Sequence, residues 1–325
     1  MKAQNRYAFF LRWALTLWAL ASWLAPGPLY PQEVEEDTLR ILVPNTTSAL
    51  PLLLLAERDP IPGLDIRVGV YLNHPQALAL VLRGEADLLL TGTSQGWENY
   101  LAGGPLVMID TGVWGLSYLV GLDQSIRKLG DLKGKRLAFP FPGAPLEVQT
   151  RYLLKRQGLD PDRDLRISYS PFPQAVARLL RGDLDAAPLP EPLASEVTRN
   201  QGLKRLLDYK QAWAEVSGGD PRSPQVSLFA TRLTAKLRKQ TLAQLDAQWG
   251  FASREVGERP QQAAERFALV LGLKAEVLSE AAGNTLYEVP GFAENQRRVL
   301  DYYEITRDVA AETRPALKPD FFFAP

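Results

Sequence analysis

The stretch "PQAVARLLRGDLDA", from Pro173 to Ala186, nearly repeats an earlier stretch of the same chain. The earlier copy, "PQALALVLRGEADL", runs from Pro75 to Leu88, and the two are identical at eight of fourteen positions at a constant offset of 98 residues. Each copy has proline where a helix begins and, after Leu-Arg, a glycine suited to the left-handed conformation just past a helix end. Each copy therefore predicts a helix that stops at Gly84 or Gly182 and is followed by an apolar strand.

The similarity extends upstream of these helices. "RILVPNTTSALP" at residues 40–51 is echoed by "RLAFPFPGAPLE" at residues 136–147, and a helix-like stretch, Gly-Leu-Asp and a short strand pattern follow each. The repeated unit is thus β-loop-α-β-α-β, present at residues 40–94 and again at 136–192. Alternating strands and helices favour a mainly parallel sheet covered on both faces. We predict two similar α/β lobes joined by two hinge crossings, with C-terminal helices packed on lobe one.

The chain path gives the expected boundaries of these lobes. We expect a signal peptide and N-terminal tail at residues 1–31, the first part of lobe one at 38–112 and lobe two at 113–220. The chain then returns to lobe one at 225–325, after the Gly-, Pro- and Ser-rich stretch "WAEVSGGDPRSPQ". Two crossings between two lobes make a hinge, so we expect an open and a closed state.

Composition excludes several functional classes. Lys+Arg and Asp+Glu are equal at 37 each, so no overall basic field favours nucleic acid. The chain has no cysteine and one histidine, His74, which excludes disulfides, thiol nucleophiles and multi-histidine metal sites. No GxxxxGK[ST] motif occurs, and no GxGxxG follows a strand. We therefore expect no catalytic residue, cofactor or metal, and we interpret the carboxylates near Asp87 and Asp185 as strand entries.

The N-terminus resembles an export signal. Lys2 and Arg6 precede an apolar run from Trp13 to Ala25 and then "PGPLYPQEVEED". The alternative is a retained membrane anchor, although the run is shorter than the ~20 residues that a spanning helix needs. Without cysteine there is no lipid-modified N-terminus, so cleavage would release a periplasmic protein.

The repeat also predicts the residues of a ligand site. Ligands of open α/β sheets lie outside the carboxyl ends of the strands, and two facing lobes bring those ends together around a cleft. The loop after the first strand is polar in lobe one and apolar in lobe two, and the third strands and the first crossing add further candidates. The predicted ligand-binding residues are Asn45, Thr46, Thr47, Ser48, Thr93, Ser94, Trp114, Phe141, Gly143 and Glu191.

Each candidate also has a structural explanation. Thr46, Thr47 and Ser48 are ordinary helix N-cap residues. Glu191 can cap the helix "LASEVTRNQ" or pair with a base of lobe one, and Trp114, like Trp97, suits a core. If these residues do bind a ligand, neutral donors facing an aromatic wall favour a small organic molecule with one polar or anionic end, in preference to nitrate.

The block "LGDLKGKRLAFPFPGAPLEVQTRYLLKRQGLDPDRDLRI" followed by "PQAVARLLRGDLDAAPLPEP" resembles the substrate-binding proteins of ABC importers in the nitrate/sulfonate/taurine and thiamine-pyrimidine-precursor group. The resemblance extends from about Leu39 to Ile305 and is most specific between Leu129 and Pro192. It implies a type 2 periplasmic-binding fold, a small-molecule ligand and a membrane permease as partner, with a monomer expected. The cysteine-rich motif of the pyrimidine-synthesising relatives is missing. A bilobed enzyme of cofactor biosynthesis and a ligand-sensing module are the alternatives.

Overall fold

The computed structural model describes residues 38–307, 309 and 315–325. The expected signal segment lies outside these residues. Two separate sheets form, with strand orders β2-β1-β3-β10-β4-β11 and β7-β6-β8-β5-β9. The strands are β1 (Thr38–Pro44), β2 (Asp65–Tyr71), β3 (Leu88–Gly92), β4 (Leu106–Gly115), β5 (Ser117–Gly121), β6 (Arg136–Phe139), β7 (Arg166–Tyr169), β8 (Ala186–Pro190), β9 (Lys204–Asp208), β10 (Val226–Thr231) and β11 (Leu286–Tyr287).

Helices cover these sheets, and short 3-10 segments lie at Thr47–Ala49, Leu129–Leu132 and Pro319–Phe321. None of the helices within the described ranges has an apolar stretch long enough to cross a bilayer. The helices are α1 (Leu50–Arg58), α2 (His74–Leu82), α3 (Thr93–Leu101), α4 (Pro145–Arg156), α5 (Pro161–Asp164), α6 (Phe172–Leu180), α7 (Leu193–Asn200), α8 (Tyr209–Val216), α9 (Arg232–Leu237), α10 (Lys239–Glu258), α11 (Pro260–Leu271), α12 (Ala275–Gly283) and α13 (Phe292–Arg307).

The two sheets repeat the same arrangement. Strand β1 pairs in parallel with β2 and β3, and β6 pairs in parallel with β7 and β8. In each sheet an antiparallel strand follows, β10 beside β3 and β5 beside β8. The predicted β-loop-α-β-α-β unit is thus present twice, which confirms the two-lobed α/β fold class.

The motif shared by the two copies builds the same set of hydrogen bonds in each lobe. Arg40 donates its backbone N–H to Asp87 Oδ2 at 2.8 Å, its Nε to the same oxygen at 3.1 Å and its Nη2 to the Gly84 carbonyl at 2.8 Å. Arg136 makes the equivalent bonds to Asp185, at 2.7 and 3.2 Å, and to the Gly182 carbonyl at 2.8 Å. Each arginine therefore ties the first strand of its lobe to the third strand and to the preceding helix end.

The glycines in this motif have a specific backbone role. Gly84 and Gly182 have φ angles of 75° and 76°, the left-handed region that glycine enters at low cost. They follow the caps of α2 and α6 and turn the chain so that their carbonyls face the arginines. The predicted helix stops at Gly84 and Gly182 are confirmed.

Two chain segments connect the sheets side by side. Strand β4 of the first sheet extends to Gly115, three residues beyond the boundary expected at Gly112, and β5 of the second sheet begins at Ser117. On the return, Ser223 N–H donates to the Trp114 carbonyl at 2.8 Å, and Gln225 N–H donates to the Val113 carbonyl at 2.9 Å. The two crossings are therefore hydrogen-bonded to each other.

The C-terminal helices contact both lobes. Helix α10 packs on α1 and β4, as expected for lobe one, whereas α12 also touches α7, and α13 also touches α4. Tyr302 of α13 lies between Trp97 and Trp213, with ring centroids 6.4 and 5.0 Å away, and Trp213 lies 5.6 Å from Tyr152. This aromatic series joins the apolar cores of the two lobes.

Two carboxyl groups are buried beneath the first sheet. Asp110 lies on β4 and is fully buried, and Asp246 of α10 is 7% exposed. The Thr111 N–H donates to Asp110 Oδ1 at 2.6 Å, and the Asp110 and Asp246 carboxyls share a hydrogen bond with each other. Burial raises the pKa of both carboxyls, and the neighbouring Asp246 raises that of Asp110 further.

We expect Asp87→Ala to destabilise the protein by about 1–3 kcal/mol, because it leaves a backbone N–H and a guanidinium without their acceptor. Urea unfolding followed by circular dichroism measures this loss. The matched control is Glu85→Ala, which removes an exposed pair with Arg83 and should change stability by less than about 0.5 kcal/mol. Equal losses in the two variants would contradict the structural role of Asp87.

The buried acid pair predicts a pH dependence of stability. Burial raises the pKa of Asp246 from 3.8 to about 6. The protonated carboxyl therefore makes its full contribution to folding stability below pH 3.8, and this contribution is lost as pH rises through about 6. Asp246→Asn should make the midpoint temperature of thermal unfolding vary less with pH between pH 4 and 7. The exposed Asp65→Asn serves as control, and an unchanged pH profile in Asp246→Asn would refute the assignment.

Candidate ligand-binding cleft

The ends of β1 and β8, one in each sheet, meet at a segment that follows α12. Asn284 Nδ2 donates to Glu191 Oε1 at 3.1 Å, beside the end of β8. Next to it, the Thr285 hydroxyl shares a hydrogen bond of 3.1 Å with the Thr47 hydroxyl, and the Tyr287 hydroxyl donates to the Thr47 carbonyl at 3.0 Å. The segment Asn284–Tyr287 therefore contacts both predicted ligand loops, and it is the part of the cleft that the repeat does not contain.

Glu191 is occupied by partners within the protein. It is 1% exposed and accepts from the Ser195 N–H at 2.9 Å, which caps α7, and from Arg205 Nη2 at 2.9 Å. Glu191 caps the helix, as one structural alternative predicted. It also pairs with a base, as the other predicted, but this base is Arg205 of lobe two, and its contact with lobe one is the side-chain amide of Asn284. A direct role of Glu191 in ligand binding remains a prediction.

The polar loop after β1 forms hydrogen bonds other than the expected helix cap. Thr46 occupies the N-cap position without a side-chain cap bond, and its hydroxyl lies 2.7 Å from that of Ser48. Thr47 and Ser48 are buried, whereas Asn45 and Thr46 are half-buried. Asn45 and Thr46 thus offer the more accessible donors of this loop.

The residues after β3 divide into two environments. The Thr93 hydroxyl lies 2.8 Å from the Ser227 hydroxyl, which lies 2.8 Å from the Thr111 hydroxyl, so Thr93 belongs to a buried hydroxyl chain within the first sheet. Ser94, the next residue, lines a small cavity between the lobes. Of the two, Ser94 is placed for contact across the cleft.

The loop of lobe two exposes its aromatic ring. Phe141 is 53% exposed. Gly143 has a φ of 75°, and its N–H donates to Glu147 Oε2 at 2.7 Å. Glu147 in turn accepts from Arg151 and from the Tyr169 hydroxyl, each at 2.8 Å. The Gly143 N–H is therefore engaged, and Glu147 fixes the loop that presents Phe141.

Trp114 lies in the core at the first crossing. It is fully buried, its Nε1 donates to the Glu288 carbonyl at 3.0 Å, and the guanidinium of Arg298 lies 5.5 Å from its ring. The core alternative describes its position in this structure, in which it presents no ring face for ligand contact.

A cavity of about 20 Å³ lies between the lobes, beside the second crossing. Ser94 and Trp97 of α3 form one side, Pro145 and Val148 of α4 form the opposite side, and Pro224, Gln225, Tyr302 and Thr306 complete the lining. Trp97 is 4% exposed, and its Nε1 has no hydrogen-bond partner among the described residues. The first turns of α3 and α4 therefore meet across this space.

The cations near the cleft are neutralised. Arg205 pairs with Glu191 and Glu280, and the Lys210 Nζ donates to the Asn284 carbonyl at 2.8 Å beside Asp208. Burial lowers the pKa of Lys210. Within the described part of the chain, no group of three or more His, Asp or Glu side chains is arranged to hold a metal ion. The cleft thus offers mainly neutral donors and paired charges.

Sequence reasoning missed the contributions of Asn284, Thr285 and Tyr287. They follow the predicted helix "KAEVLSEAAG" in a region that has no counterpart in the repeat. An asparagine directly after a helix is a common C-terminal cap, so capping alone accounted for Asn284 and its contact with Glu191 was not predicted.

The comparisons with known proteins agree with this architecture. The model of the NMT1-like family matches residues 102–270. A nitrate/nitrite binding protein, NrtA of Nostoc sp., is 26% identical over 93 residues, which are 29% of this chain and only 21% of that relative's length.

Solved structures show the same fold. The periplasmic aliphatic sulphonate binding protein SsuA from Escherichia coli superposes with a TM-score of 0.65 at 21% identity, covering 87% of this chain and 94% of that one. An ABC transporter structure from Parabacteroides distasonis gives 0.70 at 17%, covering 88% and 98%. The periplasmic nitrate-binding protein NrtA from Synechocystis PCC 6803 gives 0.58 at 16%, covering 84% and 80%.

The family match extends from the end of α3 through the last turn of α11 and includes the second lobe with both crossings. It spans 169 of the 325 residues, just over half of the chain. The chain belongs to the NMT1-like family.

Proposed function

We propose that the protein is an extracytoplasmic solute-binding protein that captures a small organic solute with a polar or anionic end between its lobes and delivers it to an ABC importer. The observation that carries this proposal is the cleft itself. Two α/β lobes of the same build turn their strand ends toward each other, and two adjacent crossings join them. Such an arrangement encloses a ligand between elements that belong to different lobes.

The named relatives support the proposal. The proteins similar in sequence or in fold are described as nitrate, nitrite or sulphonate binding proteins and as parts of ABC transporters. In this chain the single histidine, His74, shares a hydrogen bond of 3.0 Å with Thr91, and burial lowers its pKa.

The chemistry of the cleft favours an organic solute. Asn45, Thr46 and Ser94 supply neutral donors on lobe one, while Phe141 supplies an exposed ring on lobe two. A compact ion such as nitrate would use the donors and leave the ring without a partner. A solute with a polar or anionic end and a flat or apolar body uses both.

The remaining parts of the proposal concern place and partners. Export through the N-terminal segment would bring the protein to the periplasm, where it would meet the permease as a monomer without a lipid anchor. The lobe limits belong to the same proposal, with lobe one extended to Gly115, the last residue of β4, and lobe two beginning at Ser117, the first residue of β5.

A thermal-shift screen tests the function, because a solute that binds only the native state raises its unfolding temperature by mass action. The panel contains alkyl sulfonates, aromatic carboxylates, pyrimidines and nitrate, and we expect stabilisation by a member with an organic body. Stabilisation by nitrate alone would overturn the choice of solute. No stabilisation by any member would count against solute binding.

Phe141→Ala then tests the aromatic wall. Removal of a stacking ring should weaken the organic solute by ~1 kcal/mol or more, measured by isothermal titration calorimetry. The exposed Phe251→Ala, on α10, is the matched control. Unchanged affinity in Phe141→Ala would show that the ring faces solvent without touching the solute.

A further inference from the structure

Helix α9 presents leucines and cations on an exposed surface of lobe one. Leu233 and Leu237 are 66% and 69% exposed, and residues four apart are neighbours on one face of a helix. Arg232, Lys236 and Lys239 are exposed as well. A single exposed leucine needs no explanation, whereas adjacent leucines beside cations indicate an interaction. We call these five residues the α9 surface.

The charge of this segment is positive throughout. The stretch "RLTAKLRK" at residues 232–239 contains four cations and no acid, in a chain whose 37 basic and 37 acidic residues balance. Arg232 pairs with Asp320 at 3.6 Å. Neither Lys236 nor Lys239 forms an ion pair with any residue that the structure describes. The α9 surface therefore has positive charge available for a partner that carries negative charge.

An open cavity of about 270 Å³ lies beside the cations of the α9 surface. All three cations line it, together with apolar residues that include Phe322 and Phe323, and none of its eight lining residues is acidic. The Phe323 N–H donates to the Met108 carbonyl at 2.8 Å, which fixes this apolar floor to β4. Cations around an apolar floor are suited to a molecule that joins an anionic group to an apolar chain.

The α9 surface lies at the edge of the first sheet opposite to the cleft. Strand β10 leads into α9, and Ala230 near its end pairs with Leu88, the first residue of β3. Strand β1 runs parallel to β3, so Thr38, where β1 begins, lies at this edge too. The apolar run that ends at Ala25 is upstream of Thr38. The segment that the sequence predicts to contact a membrane thus joins lobe one at the edge that carries the α9 surface.

We propose that the α9 surface binds an anionic phospholipid bilayer, with its cations at the lipid phosphates and its leucines in the outer acyl region. Helical surfaces that combine apolar and basic side chains bind in this way. A protein partner would need complementary shape over about 800 Å², whereas α9 has only six residues and a bilayer adapts to its outline. Binding at this edge leaves the loops of the cleft uncovered.

Sedimentation with lipid vesicles tests the inference. The protein is mixed with vesicles of phosphatidylcholine and phosphatidylglycerol, and separately with vesicles of phosphatidylcholine alone. We expect stronger binding to the anionic vesicles, and we expect it to weaken as the salt concentration rises, because salt screens exposed charges. Equal binding to the two compositions would overturn the proposal. Absence of binding to both would overturn it in favour of an acidic protein as partner.

Matched charge variants assign the binding to the α9 surface. Lys236→Gln combined with Lys239→Gln should lower the partition onto anionic vesicles at least about fivefold, because basic residues near an anionic surface contribute directly to binding. The control combines Lys155→Gln with Arg156→Gln, at exposed positions of α4 in lobe two. It removes the same charge and should change the partition by less than about twofold. Equal losses in the two double variants would refute the assignment.

The leucines are tested without a change of charge. Leu233→Ser combined with Leu237→Ser should lower the partition onto anionic vesicles about tenfold, because apolar area no longer enters the bilayer. The control is Leu72→Ser, since Leu72 is 83% exposed but follows β2 at the cleft end of the sheet. Circular dichroism verifies that each variant is folded. Unchanged binding of the α9 leucine variant, or an equal loss in Leu72→Ser, would contradict the proposed contact.

Discussion

The bond between an arginine at the start of one strand and an aspartate at the start of another sets the geometry on which each lobe depends. Arg40 and Asp87, and their equivalents Arg136 and Asp185, fix the distance between the first and third strands and also hold the carbonyl of the intervening helix end. The position of the strand starts determines where the strands end. The hydrogen bonds at the strand beginnings thus determine where the cleft loops lie, although these loops follow the opposite ends of the strands, about four residues away.

The cleft satisfies many of its own polar groups. Several hydroxyl groups form hydrogen bonds with one another: Thr47 with Thr285, Thr46 with Ser48, and Thr93 with Thr111 through Ser227. Hydroxyls that are already paired hold the loops rigid but must exchange a partner before they bind a solute.

The parts of the fold that repeat could be predicted, and those that do not repeat could not. Gly84 and Gly182, the repeated β-loop-α-β-α-β unit and the helix beginnings follow from local chemistry that the chain contains twice. The partners of Glu191 lie up to 93 residues away in sequence, in a helix end without a counterpart in the repeat. Local patterns cannot specify such pairs, because contact between distant residues depends on how separate elements pack.

The placement of Trp114 failed to follow from the sequence for a related reason. An aromatic residue at a crossing is suited to a ligand or to a core, and only the packing of α13 and the carbonyl of Glu288 decide for the core. Phe141 has the reverse surroundings, since the bonds of Glu147 hold its loop outward. The two aromatic side chains thus differ in exposure, because Trp114 is buried and Phe141 is exposed.

Helix α13 contacts aromatic side chains of both lobes. Tyr302 touches Trp97 of lobe one and Trp213 of lobe two, so rotation of the lobes apart must separate at least one of these ring pairs. An aromatic pair contributes about 0.5–1.5 kcal/mol, which changes a ratio of populations by roughly two- to tenfold. In the hinge motion that the two crossings predict, separating such a ring pair would oppose opening of the lobes by this factor, and a solute would need that much less preference for the closed state.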